Sequence, residues 1–196
     1  MNHPGEIRRL AEICAPDISV ITNVMPAHLE GLGSLEAIAA AKGEILEKTS
    51  PTGTVVLNAD DPYTRHLAGR ASSYVCFFGK AGHALVRAES VKNTGGQTAF
   101  TLVLPEEKIP VTLHVCGEFM IANALAAAAV GHIAGQSAGE IKSGLEKVRP
   151  VAGRMNVYKS ATGINVIDDT YNANPGSARA AIITLSELSK NTRGAM

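Results

Sequence analysis

At 196 residues with 45% of them apolar, the chain can bury a substantial core, which argues against a disordered segment. Eighteen Lys and Arg balance eighteen Asp and Glu, and no basic block carries interleaved aromatics, so nucleic acid is not an expected partner. Cys14, Cys76 and Cys116 are odd in number and widely spaced, a pattern that fits neither a disulfide framework nor a C-x-x-C site and points to a reducing cytoplasm. The apolar run from Ile121 to Val130 is broken by Asn123 and falls well short of the roughly 20 residues of a membrane span. The opening MNHPGEIRRL has no apolar stretch after its charges and is not a secretory signal.

Ile7, Leu10, Ala11 and Cys14 recur at helical spacing until Pro16 stops the run. ISVITN, residues 18 to 23, predicts a buried strand. Ser34 is the expected N-cap of a helix to about Lys48, with Leu35, Ile38, Ala39, Ile45 and Leu46 on its apolar face. GTVVLN at 53 to 58 predicts a second buried strand, a turn at 58 to 62 leads into a short helix, and SYVCFFG at 73 to 79 gives a third strand. This alternation predicts a parallel sheet covered by helices, with ligands beyond the C-terminal ends of the strands, where Asn23 and Asn58 fall. From 84 to 116 the pattern changes to an antiparallel meander, with a turn at Thr94-Gly95-Gly96 and a loop from Pro105 to Pro110, read as an inserted flap or small subdomain on the main sheet. Helices from about Glu118 to Ala134 and Ser137 to Val148 follow. Two strands around Thr162-Gly163 and a helix from about Gly176 to Ser189 complete the chain. The fold class is therefore α/β, a mostly parallel sheet flanked by helices with a small antiparallel β insertion.

Four places carry candidate chemistry. His28 and Glu30 lie on the loop after the first strand; H-x-E invites a zinc-deaminase reading, which fails because no P-C-x-x-C follows, and a plain surface histidine remains the alternative. Lys42 sits among Ala39, Ala40, Ala41 and Gly43, small residues that let a backbone or ligand approach. A lysine so placed loses its proton readily and is open to covalent modification or phosphate contact, unless it simply points to solvent. Asn58, Asp60 and Asp61 reach a ligand or cap the helix at Pro62, capping being the expected job of Asp61. DDTYNANP, residues 168 to 175, crowds two acids, two amides and a tyrosine between a strand and a helix. Such a loop can read a ribose, an adenine edge or a hydrated Mg2+, although Asx turns and N-capping by Asn174 draw on the same groups. Neither G-x-x-x-x-G-K-[ST] nor G-x-G-x-x-G occurs in the sequence.

NHPGEI at 2 to 7, NVMPAHLEGLGSLEAIAAAKGEI at 23 to 45, NADDP at 58 to 62, NALAAAA at 123 to 129, RPVAGR at 149 to 154 and DDTYNANPGSARAAI at 168 to 182 together resemble the Mur ligase family. The resemblance runs through essentially the whole chain and is strongest to the type that adds D-alanyl-D-alanine to UDP-N-acetylmuramoyl-tripeptide. It implies a P-loop NTPase-like central ATP-binding domain, of which residues 1–196 are a part. The phosphate loop, an N-terminal UDP-sugar domain and a C-terminal domain are expected to lie outside it. ATP and Mg2+ are the implied cofactors, and an acyl phosphate the implied intermediate.

By resemblance His28 is a Mg2+ ligand and Lys42 takes up CO2 as a carbamate beside a second Mg2+. Asn123 meets the adenine, Arg154 the ATP phosphates and Asp169 the ribose, with Tyr171, Asn172 and Asn174 lining the same pocket. The chain departs from the family at Gly117-Glu118-Phe119-Met120, where the family reads G-x-H-N, and this puts its adenine contacts in question. The implied architecture also predicts an inactive isolated chain with an apolar sheet edge and a tendency to self-associate. A non-catalytic nucleotide-binding or assembly module, or another Mur or folylpolyglutamate-type ligase, are the competing readings.

Overall fold

Val55, Val56 and Leu57 are completely buried in strand β2 (Thr54–Asn58), and their side chains alternate between two separate apolar cores. A strand covered on both faces must be lined by helices on both faces, which is why its sequence is continuously apolar instead of alternating. The computed structural model describes residues 1–26, 29–94, 96–115 and 117–193, without the side chains of Leu29, Glu30, Thr94 and residues 190–193.

The chain runs α1 (Glu6–Cys14), β1 (Ile18–Ile21), α2 (Leu29–Leu32), α3 (Leu35–Gly43), β2, α4 (Pro62–Leu67) and β3 (Tyr74–Gly79). β4 (Val86–Thr94), β5 (Gln97–Val103), β6 (Lys108–Leu113), α5 (Phe119–Ile133) and α6 (Ala138–Lys147) follow. The hairpin β7 (Asn156–Lys159) and β8 (Asn165–Asp168) and the helix α7 (Pro175–Arg193) complete it. One six-stranded sheet has the order β1-β2-β3-β4-β5-β6, with β1 to β4 parallel and β4 to β6 antiparallel. β7 and β8 form a second, two-stranded sheet.

The α/β expectation holds. The meander is not set apart as a flap: β4 pairs with β3 at Phe78↔Val86 and Gly79↔Arg87, and Phe100, Leu102 and Val111 share one core with α5. The loop expected from Pro105 to Pro110 is shorter, because β6 begins at Lys108 and includes Pro110 opposite Thr101. Proline lacks an N–H, and an edge strand has one side on which none is needed.

α5 is apolar on nearly every face, and it lies on the sheet through Ile121, Leu125, Ala128 and Ala129, each at most 1% exposed. Burial of Ile121 or Leu125 contributes about 2 kcal/mol each by removing a branched aliphatic side chain from water. On the opposite face α3 and α4 pack over Val55 and Leu57. Gly43 is the point of closest approach: a Cβ there would lie 2.7 Å from Arg70 Nη1 and 2.9 Å from Leu67 Cδ2.

Two expectations for this face are corrected. α3 ends at Gly43, after which tight turns such as Leu46 N–H to Gly43 O (3.0 Å) carry the chain to Thr49. The turn swings Glu44 inward, 8% exposed, where its carboxylate accepts the N–H groups of Gly5 (2.8 Å) and Arg8 (3.0 Å) at the start of α1. Only Ala11 of the predicted α1 face is buried; Leu10 is 61% exposed, and Cys14 is exposed too. α1 is thus fixed by a carboxylate at its N-terminus, where unpaired N–H groups and the helix dipole favour negative charge, and by the Arg8–Glu47 and Lys48–Glu12 ion pairs. Replacing Glu44 by alanine is expected to lower unfolding free energy by about 2 to 3 kcal/mol, the loss of two charge-assisted bonds, with Glu44→Gln intermediate. Urea denaturation measures both, and an unchanged midpoint for the alanine variant would refute the role.

Candidate functional site

The loop after β1 is held by two residues at and just beyond the far end of β2. Asn58 donates its Nδ2–H to Thr22 O (2.9 Å). The Asp61 carboxylate accepts Val24 N–H at 2.6 Å through one oxygen, and Tyr63 N–H (2.9 Å) and Thr64 N–H (3.3 Å) through the other. Asp61 therefore caps α4, as its sequence context predicts, and also ties the loop down, a contact 37 residues distant that nothing in the local sequence signals. Asp60 accepts the N–H groups of Lys80 (2.7 Å) and Ala81 (2.9 Å), fixing the end of β3 beside it.

Lys42 points into this frame, half-buried, with Nζ donating to Asn23 O at 2.7 Å. Burial lowers its pKa below the ordinary lysine value, and the nearby Asp61 carboxylate partly opposes the shift. His28 lies outside the described residues, as does the Glu30 side chain. Among the described residues no group of three or more His, Cys, Asp and Glu is placed to hold a metal.

The other half of the site comes from α5 and the last third of the chain. A cleft of about 450 Å³ is lined by Asn23 and Met25 of the loop, Asn123 of α5, and Arg154, Asp169 and Asn174. Four of the residues picked out by sequence thus converge on it. The exposed Asn172 does not line it, and Tyr171 stands behind Arg154, its ring centroid 4.0 Å from the guanidinium carbon. That cation–π contact holds the arginine from below, and Tyr171 N–H to Gly153 O (3.1 Å) joins the two loops.

The acids and amides of DDTYNANP divide between turn chemistry and the cleft. Asp168 accepts Thr170 N–H (3.2 Å) and Oγ1–H (2.7 Å) in an Asx turn. Asn174 accepts Ser177 N–H (2.9 Å) and caps α7. Asp169 accepts Met155 N–H (3.2 Å) at the cleft wall. Met25 packs so closely on the first turn of α7 that a Cβ at Gly176 would lie 2.2 Å from its Cε. Residues 135 to 139, GQSAG, spell G-x-S-x-G, yet Ser137 spends its hydroxyl in a capping box with Glu140 at the start of α6.

Because burial favours the neutral amine of Lys42 in the folded chain, the unfolded chain keeps that proton to higher pH. Folding therefore releases a proton between the depressed folded pKa and the ordinary one, and stability rises with pH across that window. Relative to Lys42→Met, the wild-type chain should gain stability as pH is raised toward the ordinary lysine pKa. Urea midpoints measured across that range check it, and a pH-independent difference would contradict the burial.

Residues 1–131 match the model of the Mur ligase middle domain. A UDP-N-acetylmuramoyl-tripeptide–D-alanyl-D-alanine ligase of Haemophilus influenzae is 36% identical over 188 residues, covering 94% of this chain and 40% of that protein. A crystal structure of MurF from Acinetobacter baumannii superposes with a TM-score of 0.90 at 34% identity, over 95% of this chain and 41% of its own. MurF ligase from Thermotoga maritima, in complex with ADP, gives a TM-score of 0.84 at 30% identity, over 94% and 42%. The chain thus spans about two fifths of the length of these relatives. No helix among the described residues is long and apolar enough to cross a membrane. With two thirds of its length matched by the middle-domain model, the chain belongs to the Mur ligase family.

Proposed function

We propose that this chain is the ATP-handling part of a ligase that joins D-alanyl-D-alanine to UDP-N-acetylmuramoyl-tripeptide through an acyl phosphate on the tripeptide carboxylate. One observation carries the reading: a single cleft reaches from Asn23, whose carbonyl takes the Lys42 ammonium, to Asn123, Arg154 and Asp169. Phosphoryl transfer of this kind rests on positioning and charge neutralisation more than on covalent chemistry by the protein. The names of the relatives and the ADP bound to one of them point the same way.

In this reading Arg154, steadied by Tyr171, neutralises phosphate charge. Asp169 accepts from ribose hydroxyls, and Asn123 meets the base. Asn174 acts indirectly by fixing the start of α7, and Asn172 is assigned no contact.

The neutral amine of Lys42 adds CO2 to give a carbamate and release a proton, exchanging a cation for an oxygen anion. Its half-buried setting and depressed basicity suit that exchange. The donor set fits Mg2+ only in that form, since an ammonium cannot ligate; the carbamate and His28 would hold the ion together with substrate oxygens. Mg2+ when bound supplies charge stabilisation on the transferring phosphoryl group.

Isothermal titration of the chain with Mg-ADP tests the reading. Binding is expected, with a loss of at least about tenfold in Asp169→Ala, the cost of one charge-assisted bond. Equal affinity in the variant would remove Asp169 from the site, and no binding by the wild-type chain would favour the non-catalytic scaffold.

A further inference from the structure

α5 buries Ile121, Leu125, Ala128 and Ala129 against the sheet, while a second stripe of the same helix, Phe119, Asn123 and Ala127, stays exposed. Residues four apart lie on one helix face, one turn above the other. The stripe therefore presents a ring and then an amide, and both line the cleft that also contains Arg154 and Asp169. Phe119 is 38% exposed, so a flat partner can lie on its ring without displacing a packed neighbour.

The ring is held in place from one side. Gly117 is buried at φ +100°, and a Cβ there would lie 2.4 Å from Phe119 Cε1, 2.9 Å from Cδ1 and 3.1 Å from Cζ. Only glycine combines that backbone conformation with so close an approach. Because the contact is made along the Cδ1–Cε1–Cζ edge, the ring faces are left to the open spaces that Phe119 lines, and the cleft is one of them. Asn123 is steadied as well, its Nδ2 lying 3.6 Å from Met120 Sδ, a weak acceptor that leaves Oδ1 and the second N–H for a ligand.

We infer that Phe119 is a nucleotide-binding residue, its ring carrying the purine by stacking while Asn123, one turn further along α5, meets the edge of the same base. The inference rests on the nucleotide reading above. Four residues of helix advance about 6 Å along the axis, a span that one purine bridges, so a base lying on the ring reaches the amide without leaving it. Stacking is indifferent to the donors and acceptors around a base, because every base has a π-face. Phe119 thus supplies affinity and Asn123 supplies choice. In this assignment the departure from G-x-H-N at Gly117-Glu118-Phe119-Met120 exchanges polar groups for a stacking face.

The chain contains no tryptophan, so Phe119→Trp places a single indole at the stacking position, and its emission reports on that position alone. The test combines calorimetric titration of the wild-type chain, Phe119→Leu and Phe119→Trp with Mg-ADP and tryptophan fluorescence of Phe119→Trp, with a thermal melt of each to check folding. The wild-type chain is expected to bind. Phe119→Leu, which keeps apolar bulk and loses the π-face, should bind at least about fivefold more weakly, the loss of one base–aromatic stack. Phe119→Trp should keep its affinity, and its emission should fall over the same Mg-ADP range as the heat signal. Wild-type affinity in Phe119→Leu, or unchanged emission in a Phe119→Trp chain that binds Mg-ADP, would overturn the stacking role and leave the nucleotide site standing. So would a folded Phe119→Trp chain that binds no Mg-ADP. The emission of Phe119→Trp decides if Phe119→Leu does not melt cooperatively. Absence of binding by the wild-type chain would overturn both readings.

Discussion

The Asp61 carboxylate is the contact on which the site depends. It receives Val24 N–H from the loop after β1 and the first N–H groups of α4, so a strand end, a helix start and a loop are fixed by one side chain. With Val24 held, the carbonyl of Asn23 is held one residue away, and that carbonyl is what Lys42 Nζ meets. The same carboxylate sets the lysine's surroundings twice over, by placing its hydrogen-bond acceptor and by partly offsetting the burial that lowers its pKa.

From that point the constraint spreads outward. Met25, two residues beyond Asn23, lies in the notch left by Gly176, so the loop after β1 and the start of α7 meet without a gap. α7 is capped by Asn174, and the preceding loop is pinned by Asp169 to Met155 N–H and by Tyr171 N–H to Gly153 O. Arg154 rests on the Tyr171 ring as a result. Arg154 thus lines the cleft directly, and Lys42 reaches it through the carbonyl of Asn23, which lines the same cleft.

The sheet was legible because its signal is local. VVL in β2 and the burial of Cys76 and Phe78 in β3 follow from strands covered on both sides, and the turns between them carry Gly, Asn and Asp. What was not legible depends on partners far along the chain. The sequence predicts α3 to run to about Lys48, past its end at Gly43, because the turn at Glu44 serves Gly5 and Arg8, 39 and 36 residues away. Pro110 reads as loop because local sequence does not say that β6 is an edge. The small residues around Lys42 signal close approach by a backbone or a ligand without saying which neighbour uses it, and at Gly43 the neighbours are the Arg70 and Leu67 side chains. Within DDTYNANP, composition alone does not divide Asp168, used in an Asx turn, from Asp169 at the cleft, or show that Asn174 both caps α7 and lines the cleft.

The central claim is that the lysine and the nucleotide-facing residues serve one cleft. A crystal structure of the chain grown with Mg-ADP and bicarbonate tests it most directly. Nucleotide between α5 and the 169–174 loop, phosphates at Arg154, and a carbamate on Lys42 released from the Asn23 carbonyl is the expected result. Nucleotide bound elsewhere, or Lys42 unmodified and still on Asn23 O beside a bound nucleotide, would contradict it.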